Sequence, residues 1–490
     1  MNVGRRKTWK NHLGNQSIDP LRLCTPETLG DVVALVQEAE RAGCTVRAVG
    51  SGHSWSDVAL TPGFLLDTSR LSRPLDLEPP LLRPGVNTAT LVRTEAGIRL
   101  RELNAYLDGR GLALSNMGGY DAQTVAGVIS TSTHGSGIAF GPIADQIRSL
   151  DVVAGGGKLY RIERRNGPTD AAAYAAQHGD RRLVQDDAWF DAVVVGMGCM
   201  GVVYSAMLEV EPKYWLKEVR TLRTWSQVKA DLRAGDVLQQ HRHYEFLFNP
   251  YAVGGDHRCL VTTRDKTAQP VGKPKDKLER HPLTELLSSL PITAKLLNLF
   301  FDWQPKLTPQ DIDIVLRGLV DDEYTNVSYK VFNIGAANKL PAYSMEIAVP
   351  LEGGRHIEAV ERVMALAQAR SSLGSVYETS PVAVRFVKAT SAHMSMMYAR
   401  DTAMFELIMM TDTEGGYELL GAYEEALSEL GGRPHWGQVN YLTGSNDALR
   451  SMYARFDEWQ GIRGQLDPGG TFVSPFTKRV GISRRGFLPL

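Results

Sequence analysis

The chain is poor in cysteine, because its 490 residues include four: Cys24, Cys44, Cys199 and Cys259. Cysteines so widely spaced, with no CxxC pair among them, exclude a disulfide framework and a cysteine-ligated metal site. They are typical of buried free thiols in a reducing compartment. We therefore expect a cytoplasmic protein with no bound metal.

Surplus charge and long apolar runs are also lacking. Lys and Arg total 54 against 55 Asp and Glu, for a net charge of −1, so the chain lacks the positive excess of a nucleic-acid binder. The most apolar segment, residues 287–303, is interrupted by Pro291 and Lys295 and is too short to cross a bilayer. The N-terminus shows no apolar region typical of a signal peptide. We expect no membrane span and no nucleic-acid partner.

Ordinary globular composition remains, with 43% hydrophobic and 22% charged residues, and the length predicts two or three packed units. The first 210 residues alternate between helix and strand patterns. Thr25 and Pro26 are suited to the first positions of a helix that Gly43 ends, and a short strand then runs directly into the sequence Gly-Ser-Gly at 50–52. This alternation predicts a mixed α+β domain.

The middle of the chain has a different pattern, with separated strands and helices that predict a second α+β domain. The hydrophilic run at 264–280 predicts an exposed loop. The expected strands are residues 244–248, 260–263, 343–349, 382–387 and 405–410, and the expected helices are residues 285–301, 355–370 and 416–430.

Three Gly-rich segments, at 48–57, 117–137 and 196–204, are candidates for binding an anion, because small residues let backbone N–H groups approach a phosphate closely. The first is not a Walker A loop, since no Gly-Lys-Ser/Thr follows, and it is not a GxGxxG fingerprint opening a long helix. Without a nicotinamide fingerprint, we expect electrons to come directly from an organic substrate.

Together the motifs resemble the FAD-linked oxidases of the vanillyl-alcohol oxidase superfamily, and within it the L-gulonolactone, D-arabinonolactone and alditol oxidases. The resemblance extends from about residue 12 to 478, and its motifs are GSGHS at 50–54, QTVAGVISTSTHGSG at 123–137, GMGCMGVV at 196–203, RPHWGQ at 433–438 and LDPGGTF at 466–472.

The resemblance implies an α+β fold in three parts. Residues 1–210 would form a two-part FAD-binding domain of the PCMH type. Residues 211–420 would form the substrate or cap domain, an antiparallel sheet flanked by helices. Residues 421–490 would form a C-terminal segment that returns to the flavin.

His53 matches the histidine that, in this subgroup, bonds covalently to the 8α carbon of FAD. A neutral imidazole keeps a free lone pair near neutral pH and is a suitable nucleophile. The other positions that the resemblance implies for FAD binding are Ala48, Val49, Gly50, Ser51, Gly52, Ser54, Gly118, Thr124, Gly127, Ile129, Ser132, Thr133, His134, Gly135, Gly137, Gly201, Val202 and His435.

The substrate side departs from the family at two positions. The sugar oxidases carry Glu-x-Arg on a strand, whereas this chain has Ala383 before Arg385, and their HWG motif ends in Lys where this chain has Gln438. The joint change predicts a neutral surface in place of a salt-bridged pair, and hence a substrate other than a simple sugar lactone or polyol. Drift at a core-facing position is the alternative reading of Ala383, and an amine substrate stays open.

Arg385 then needs a carboxylate from elsewhere, and Glu346, Glu378 and Glu406 are the candidates. Glu406 lies in an otherwise apolar strand that matches a substrate-lining strand of the family. A carboxylate in such surroundings should have a raised pKa and could act as a general base. The alternative is that Glu406 faces solvent at a strand edge.

The expected function is oxidation of a CH–OH group of a small molecule, with hydride transfer to flavin N5. The expected acceptor is O₂, whose access depends on residues such as Gln123 near the C4a edge of the flavin. A dehydrogenase that uses another acceptor and a flavin-binding protein without redox turnover are the alternatives. The sequence leaves monomer and dimer open.

Overall fold

The computed structural model of the chain describes residues 7–276, 304–335, 341–373 and 376–483. The predicted helix at 285–301 and the apolar segment at 287–303 lie outside these ranges. Within them, no helix is both long enough and apolar enough to cross a bilayer.

Two separate sheets build the first part of the chain, as the resemblance implies. Strands β3, β5 and β4 form a parallel three-stranded sheet, and β11, β10, β9, β12, β7 and β6 form a six-stranded sheet in that order. The strands are β1 (Trp9–Lys10), β2 (Ser17–Ile18), β3 (Arg22–Cys24), β4 (Val46–Val49), β5 (Phe64–Asp67), β6 (Pro74–Leu75), β7 (Leu91–Glu95), β8 (Leu112–Ala113), β9 (Ile147–Val153), β10 (Leu159–Glu163), β11 (Arg181–Gln185), β12 (Val202–Glu209) and β13 (Glu211–Pro212).

Helices join these strands, and the first begins three residues later than the sequence predicts. Its N-cap is Thr28, because the Thr28 hydroxyl accepts from Asp31 N while the Asp31 carboxylate accepts from Thr28 N, each at 3.1 Å. This reciprocal pair of hydrogen bonds satisfies two N–H groups at the start of the helix, and Thr25 makes no such pair. The helices are Leu29–Arg41, Leu100–Asp108, Val125–Ser130, Ala171–Gln177 and Asp187–Val193.

One eight-stranded antiparallel sheet dominates the second part of the chain. Its strand order is β17-β14-β16-β15-β19-β20-β18-β21. The strands are β14 (Trp215–Thr224), β15 (His243–Val253), β16 (Asp256–Thr267), β17 (Asp321–Val327), β18 (Ala342–Pro350), β19 (Val382–Val387), β20 (Thr402–Met410) and β21 (Arg433–Pro434). The helices are Trp225–Ala234, Val237–Gln240, Thr308–Gly318, Ser328–Phe332, Arg355–Leu373 and Gly416–Ser428.

The two faces of this sheet differ in chemistry, because successive side chains point to opposite sides. Met345, Val384 and Phe405 pack with Val360 and Leu420 from the two longest helices and form an apolar core. Glu346, Arg385 and Glu406, each next to one of these residues in sequence, point to the other face, a charged face that is turned towards the first domain.

The sequence pattern places the start of the exposed loop, predicted at 264–280, too early. Strand β16 continues to Thr267, and the Arg264 side chain is buried between Glu218 and Glu245, with an exposed fraction of 5%. Buried ion pairs of this kind are invisible in a hydropathy pattern, because each partner is polar and the partners are distant in sequence.

The end of the chain returns to the first domain. Trp459 Nε1 donates to Ala192 O at 3.0 Å, and Val46 N donates to Thr471 O at 2.8 Å. Its helices are Asn446–Met452, Phe456–Leu466 and Pro475–Arg479. We keep residues 1–210, 211–420 and 421–490 as the proposed division. Residues of the third part up to Val439 pack with the eight-stranded sheet, and those from Leu449 onwards pack into cores of the first domain.

Candidate active site

A cavity of about 540 Å³ lies between the first domain and the charged face of the eight-stranded sheet. The glycine loop after β4 and the segments that follow β8 and precede β12 line one end. Strands β18, β19 and β20 and the segment 435–438 line the other. Within the described part of the chain, no group of three or more His, Cys, Asp or Glu residues could hold a metal ion.

Glycines at the first end allow close backbone approach. A Cβ atom on Gly50 would lie 2.2 Å from Thr124 Oγ1, and one on Gly201, whose φ is +131°, would lie 2.6 Å from Val153 O. Neither position can therefore carry a side chain without rearrangement. Because no side chain covers the backbone here, its N–H groups can approach the diphosphate of a dinucleotide closely.

Arg47 lies in the wall at this end and is almost completely buried. One guanidinium nitrogen donates to Val58 O at 2.7 Å, and Nε has no hydrogen-bond partner. Among the described residues, no carboxylate pairs with it. A buried cation without a counter-ion is strongly unfavourable, so an anionic group in the cavity would compensate it. The cavity therefore fits FAD, which carries two phosphates.

His53 lies in the same wall, with Nε2 3.1 Å from Tyr120 Oη and the His12 ring at 4.2 Å. Nδ1 has no hydrogen-bond partner among the described residues. Burial, with smaller contributions from the positive charges of His12, Arg99 and Arg101, lowers the pKa of His53 to about 3. His53 is thus neutral at pH 7 and keeps a lone pair for bond formation.

Distant segments hold the loop that carries His53. The Asn11 side chain donates to Ser54 O at 2.9 Å, and the Asn15 side chain donates to Trp55 O at 3.0 Å. From the other end of the chain, Gly437 O accepts from Trp55 N at 2.8 Å. The position of His53 is therefore fixed by contacts that its own motif does not reveal.

At the other end of the cavity, three strands bring charged side chains into one row. The antiparallel register places Glu346 opposite Glu406, and Glu406 opposite Ala383. The Arg385 guanidinium hydrogen-bonds to Glu406 and lies 3.6 Å from Glu346 Oε1. The expected neutral surface is wrong, because Glu406 supplies a carboxylate from the strand adjacent to Ala383.

The two carboxyl groups have opposite electrostatics. Burial disfavours ionisation of Glu346, but the charges of His134, 3.2 Å away, and of Arg385 outweigh it and lower the pKa of Glu346 to about 2. Burial raises the pKa of Glu406, and the negative charge of Glu346 adds to this while Arg385 opposes it. The surroundings therefore favour ionisation of Glu346 and disfavour ionisation of Glu406.

The HWG motif brings two more side chains to this end. Burial lowers the pKa of His435 to about 4, so that its ring is neutral, and its Nδ1 accepts from Gly437 N at 3.0 Å. Gln438 accepts from Ser344 Oγ at 2.7 Å and donates to Glu346 Oε2 at 3.3 Å. Gln438 therefore orients the Glu346 carboxylate through a hydrogen bond from an uncharged donor.

Most of the residues implied for FAD binding line the cavity, as do Arg385, Glu406 and Gln438. Five do not. Ile129 and Val202 are buried in hydrophobic cores, and Ser132 hydrogen-bonds to Ser395. Gly135 packs against Asn116, and Gly137 bridges to strand β19. All five residues are buried in the protein interior and not at the wall of the cavity.

Glu378 is not the counter-ion of Arg385. It is completely buried and does not line the cavity, and burial holds its pKa well above the usual range despite a backbone hydrogen bond from Ser380. Sequence reasoning also missed cavity residues that no motif marks, namely Arg47, Ser344, Ile334 and Ile408. The spacing of Ser344 and Glu346, two apart on a strand, was the available signal.

Comparison with known proteins agrees with this geometry. Residues 206–480 match the family model described as D-arabinono-1,4-lactone oxidase, and residues 20–163 match that of an FAD binding domain. The L-gulono-1,4-lactone dehydrogenase of Mycobacterium tuberculosis is 30% identical, covering 96% of this chain and 98% of that protein. The L-gulonolactone oxidase of Bos taurus is 27% identical, covering 93% of each.

Two further relatives extend the comparison. The alditol oxidase of a Streptomyces species is 26% identical over 96% of this chain and 97% of that protein. Among solved structures, a solvent-stable cholesterol oxidase superposes with a TM-score of 0.77 at 18% identity, covering 98% of both chains. The structural likeness shows a shared fold.

Replacing Arg47 with Met should weaken FAD binding by roughly 10- to 100-fold, because the variant loses charged hydrogen bonds to the diphosphate. The measurement is flavin fluorescence quenching in a His53→Ala background, where FAD can dissociate. Riboflavin, which has no phosphate, is the control ligand and should bind both proteins alike. Equal weakening for both ligands would contradict a role at the phosphates.

Proposed function

Because the chain belongs to the D-arabinono-1,4-lactone oxidase family of FAD-dependent oxidoreductases acting on CH–OH groups, we propose that it oxidises a hydroxyl-bearing carbon of an aldonolactone or an alditol. One observation carries the proposal. A single cavity joins the glycine-rich, Arg47-containing end to the cluster of Arg385, Glu346 and Glu406.

The side chains of the cluster have separate tasks. Bound FAD would accept a hydride from the substrate carbon. Glu406, with its raised pKa, is the general base that takes the hydroxyl proton. Arg385 stabilises the negative charge that develops on the substrate oxygen, and Gln438 keeps Glu346 oriented beside it.

A sugar lactone or polyol fits this wall, although the sequence predicted a substrate other than these. That suggestion depended on the loss of the charged pair, and Glu406 restores the carboxylate next to Arg385. Buried polar groups left without partners disfavour an apolar ligand, whereas hydroxyl groups satisfy them. The relatives named for lactones and alditols support the same substrate class.

Molecular oxygen is the proposed electron acceptor, as in the relatives named oxidases. An acceptor other than O₂ is the second candidate, because the relative at 30% identity is named a dehydrogenase. Gln123, which lines the cavity, is the side chain on which O₂ access is proposed to depend.

We further propose that FAD is attached covalently through His53. The lowered pKa keeps the imidazole neutral, and Tyr120 engages Nε2, so that Nδ1 is the ring nitrogen left for the bond.

Anaerobic mixing of the holoenzyme with aldono-1,4-lactones and alditols should bleach the flavin absorbance at 450 nm with at least one of them. Reoxidation by O₂ is then compared with reoxidation by a dye acceptor to separate oxidase from dehydrogenase. Simple primary amines and monohydric alcohols are the controls and should leave the absorbance unchanged. Bleaching by these controls alone would contradict the substrate class, and no bleaching by any compound would favour a flavoprotein without redox turnover.

Glu406→Ala should lower kcat/KM by roughly 10²–10⁴-fold, because it removes the base and the partner of Arg385. The double variant Ala383→Glu/Glu406→Ala should recover much of this loss, since positions 383 and 406 are cross-strand neighbours with Arg385 beside both. Steady-state kinetics of both variants and of Ala383→Glu check the expectation. A double variant no better than Glu406→Ala would show that the carboxylate must come from β20.

Acid precipitation should leave the yellow colour in the pellet of the wild-type protein and release it to the supernatant for His53→Ala. The physical reason is that a covalent bond survives denaturation, whereas contacts of the folded cavity do not. Tyr120→Phe, which keeps the ring but loses the contact to Nε2, is a matched variant. Release of all flavin from the wild-type protein would contradict covalent attachment.

A further inference from the structure

The charged cluster of the cavity continues outside it as a line of alternating charges across the sheet. Glu245 on β15 lies directly opposite Arg385 on β19. The Arg264 guanidinium donates to Glu245 Oε1 at 2.7 Å and to Glu218 Oε2 at 2.6 Å. Arg220 then lies 3.0 Å from Glu218 Oε1. The line therefore reaches from the cavity to β14.

This line is buried for most of its length. The side chains of Arg264 and Glu218 have exposed fractions of 5% and 1%, and that of Glu245 has 21%. None of the three lines the cavity. Buried charges cost desolvation energy that good pairing only offsets, so stability alone gives little reason to keep them where apolar side chains would pack.

We infer that Glu245, held by Arg264, which Glu218 also binds, is a positioning residue for Arg385 and sets the pH at which Glu406 gains or loses its proton. This inference rests on the proposed function, in which Glu406 is the base. Glu245 lies on one side of Arg385 and Glu406 lies on the other. A change in the charge of any residue of the line therefore alters the electrostatic potential at Arg385 and Glu406.

The groups that face Glu406 come from every element around it. Arg385 on β19 and Glu346 on β18 are in the same row, and His134 approaches from the first domain. His435 and Gln438, from the C-terminal segment, lie beside Glu346. None of these groups is itself substituted in a variant at position 245 or 264, so such a variant tests the contribution of the line.

The signs of the expected shifts are opposite. Glu245→Gln removes a negative charge, which stabilises the ionised form of Glu406 and lowers its pKa. Arg264→Met removes a positive charge, which destabilises that form and raises the pKa. Strand β19 lies between Glu245 and Glu406, whereas β15 and β19 both lie between Arg264 and Glu406. At about 4.8 Å per strand, these backbone separations are roughly 10 Å and 14 Å, and the expected shifts are about 0.5–1 pH unit for Glu245→Gln and smaller for Arg264→Met.

The experiment measures the acidic limb of the kcat/KM profile against pH for the holoenzyme. Glu245→Gln, which keeps the shape and an acceptor for Arg264, should move the limb to lower pH. Arg264→Met should move it to higher pH. Arg264→Lys, which keeps the charge, should leave the limb in place and is the matched control if Arg264→Met fails to fold.

A structural role alone would reduce activity or stability in both variants without opposite movements of the pH profile. Shifts in the same direction, or lower kcat with an unchanged profile, would therefore overturn the inference. A double variant Glu245→Gln/Arg264→Met restores the charge balance and should return the limb towards its original position.

A second readout separates this inference from the proposed function. The infrared band of a protonated carboxyl group, taken as the wild-type spectrum minus that of Glu406→Gln, reports the titration of Glu406 without any substrate. Opposite shifts of this band in Glu245→Gln and Arg264→Met, without turnover of any lactone or alditol, would support the line and reject the function. An unshifted band would reject the line even if the enzyme is active.

Discussion

The register of three antiparallel strands is the constraint on which the site depends. It places Glu346, Glu406 and Ala383 in one row and brings Arg385 against both carboxyl groups. A buried guanidinium requires such partners, and a slip of one residue would turn all of them to the apolar side of the sheet. The helices packed on Met345 and Phe405 prevent that slip, because the opposite face is their hydrophobic core. The charged wall of the cavity and the hydrophobic core beneath it are thus the two faces of one sheet, and successive residues of each strand alternate between them.

Local signals in the sequence predicted the elements well. The strand Val382–Val387 has the predicted bounds, and the helix Gly416–Ser428 begins at the predicted residue. Periodicity and glycine positions carry this information within a few residues of chain. The start of the first helix was missed because two threonines precede it and the Asp31 side chain, through its bond to Thr28, decides between them. The order of the glycine-rich motifs was enough to predict FAD, which the family match supports.

Contacts between distant residues could not be decided from the sequence, which left three carboxylates as candidate partners of Arg385. Ala383 suggested a neutral surface, because the sequence does not state which strand lies beside β19, and 23 residues separate it from the carboxylate that replaces the missing one. Arg47 lies three residues before Gly50 and drew no attention, since its burial depends on packing against Gly198 and Cys199 in a distant segment. Arg264 was assigned to a loop for the same reason. In each case the sequence around the residue does not reveal its partner, which the fold brings from a distant segment.

The loop that carries His53 has one further property. Its carbonyls accept hydrogen bonds from Asn11 and Asn15, and its backbone N–H at Trp55 donates to Gly437, so residues more than 420 positions apart meet at one short turn. Closing contacts of such sequence separation come late in folding, because the loop entropy is lost before they form. During synthesis, residue 437 leaves the ribosome after the whole second domain. The cofactor site is therefore completed after translation of nearly the entire chain, and a nascent chain that stops earlier has a histidine loop held from one side.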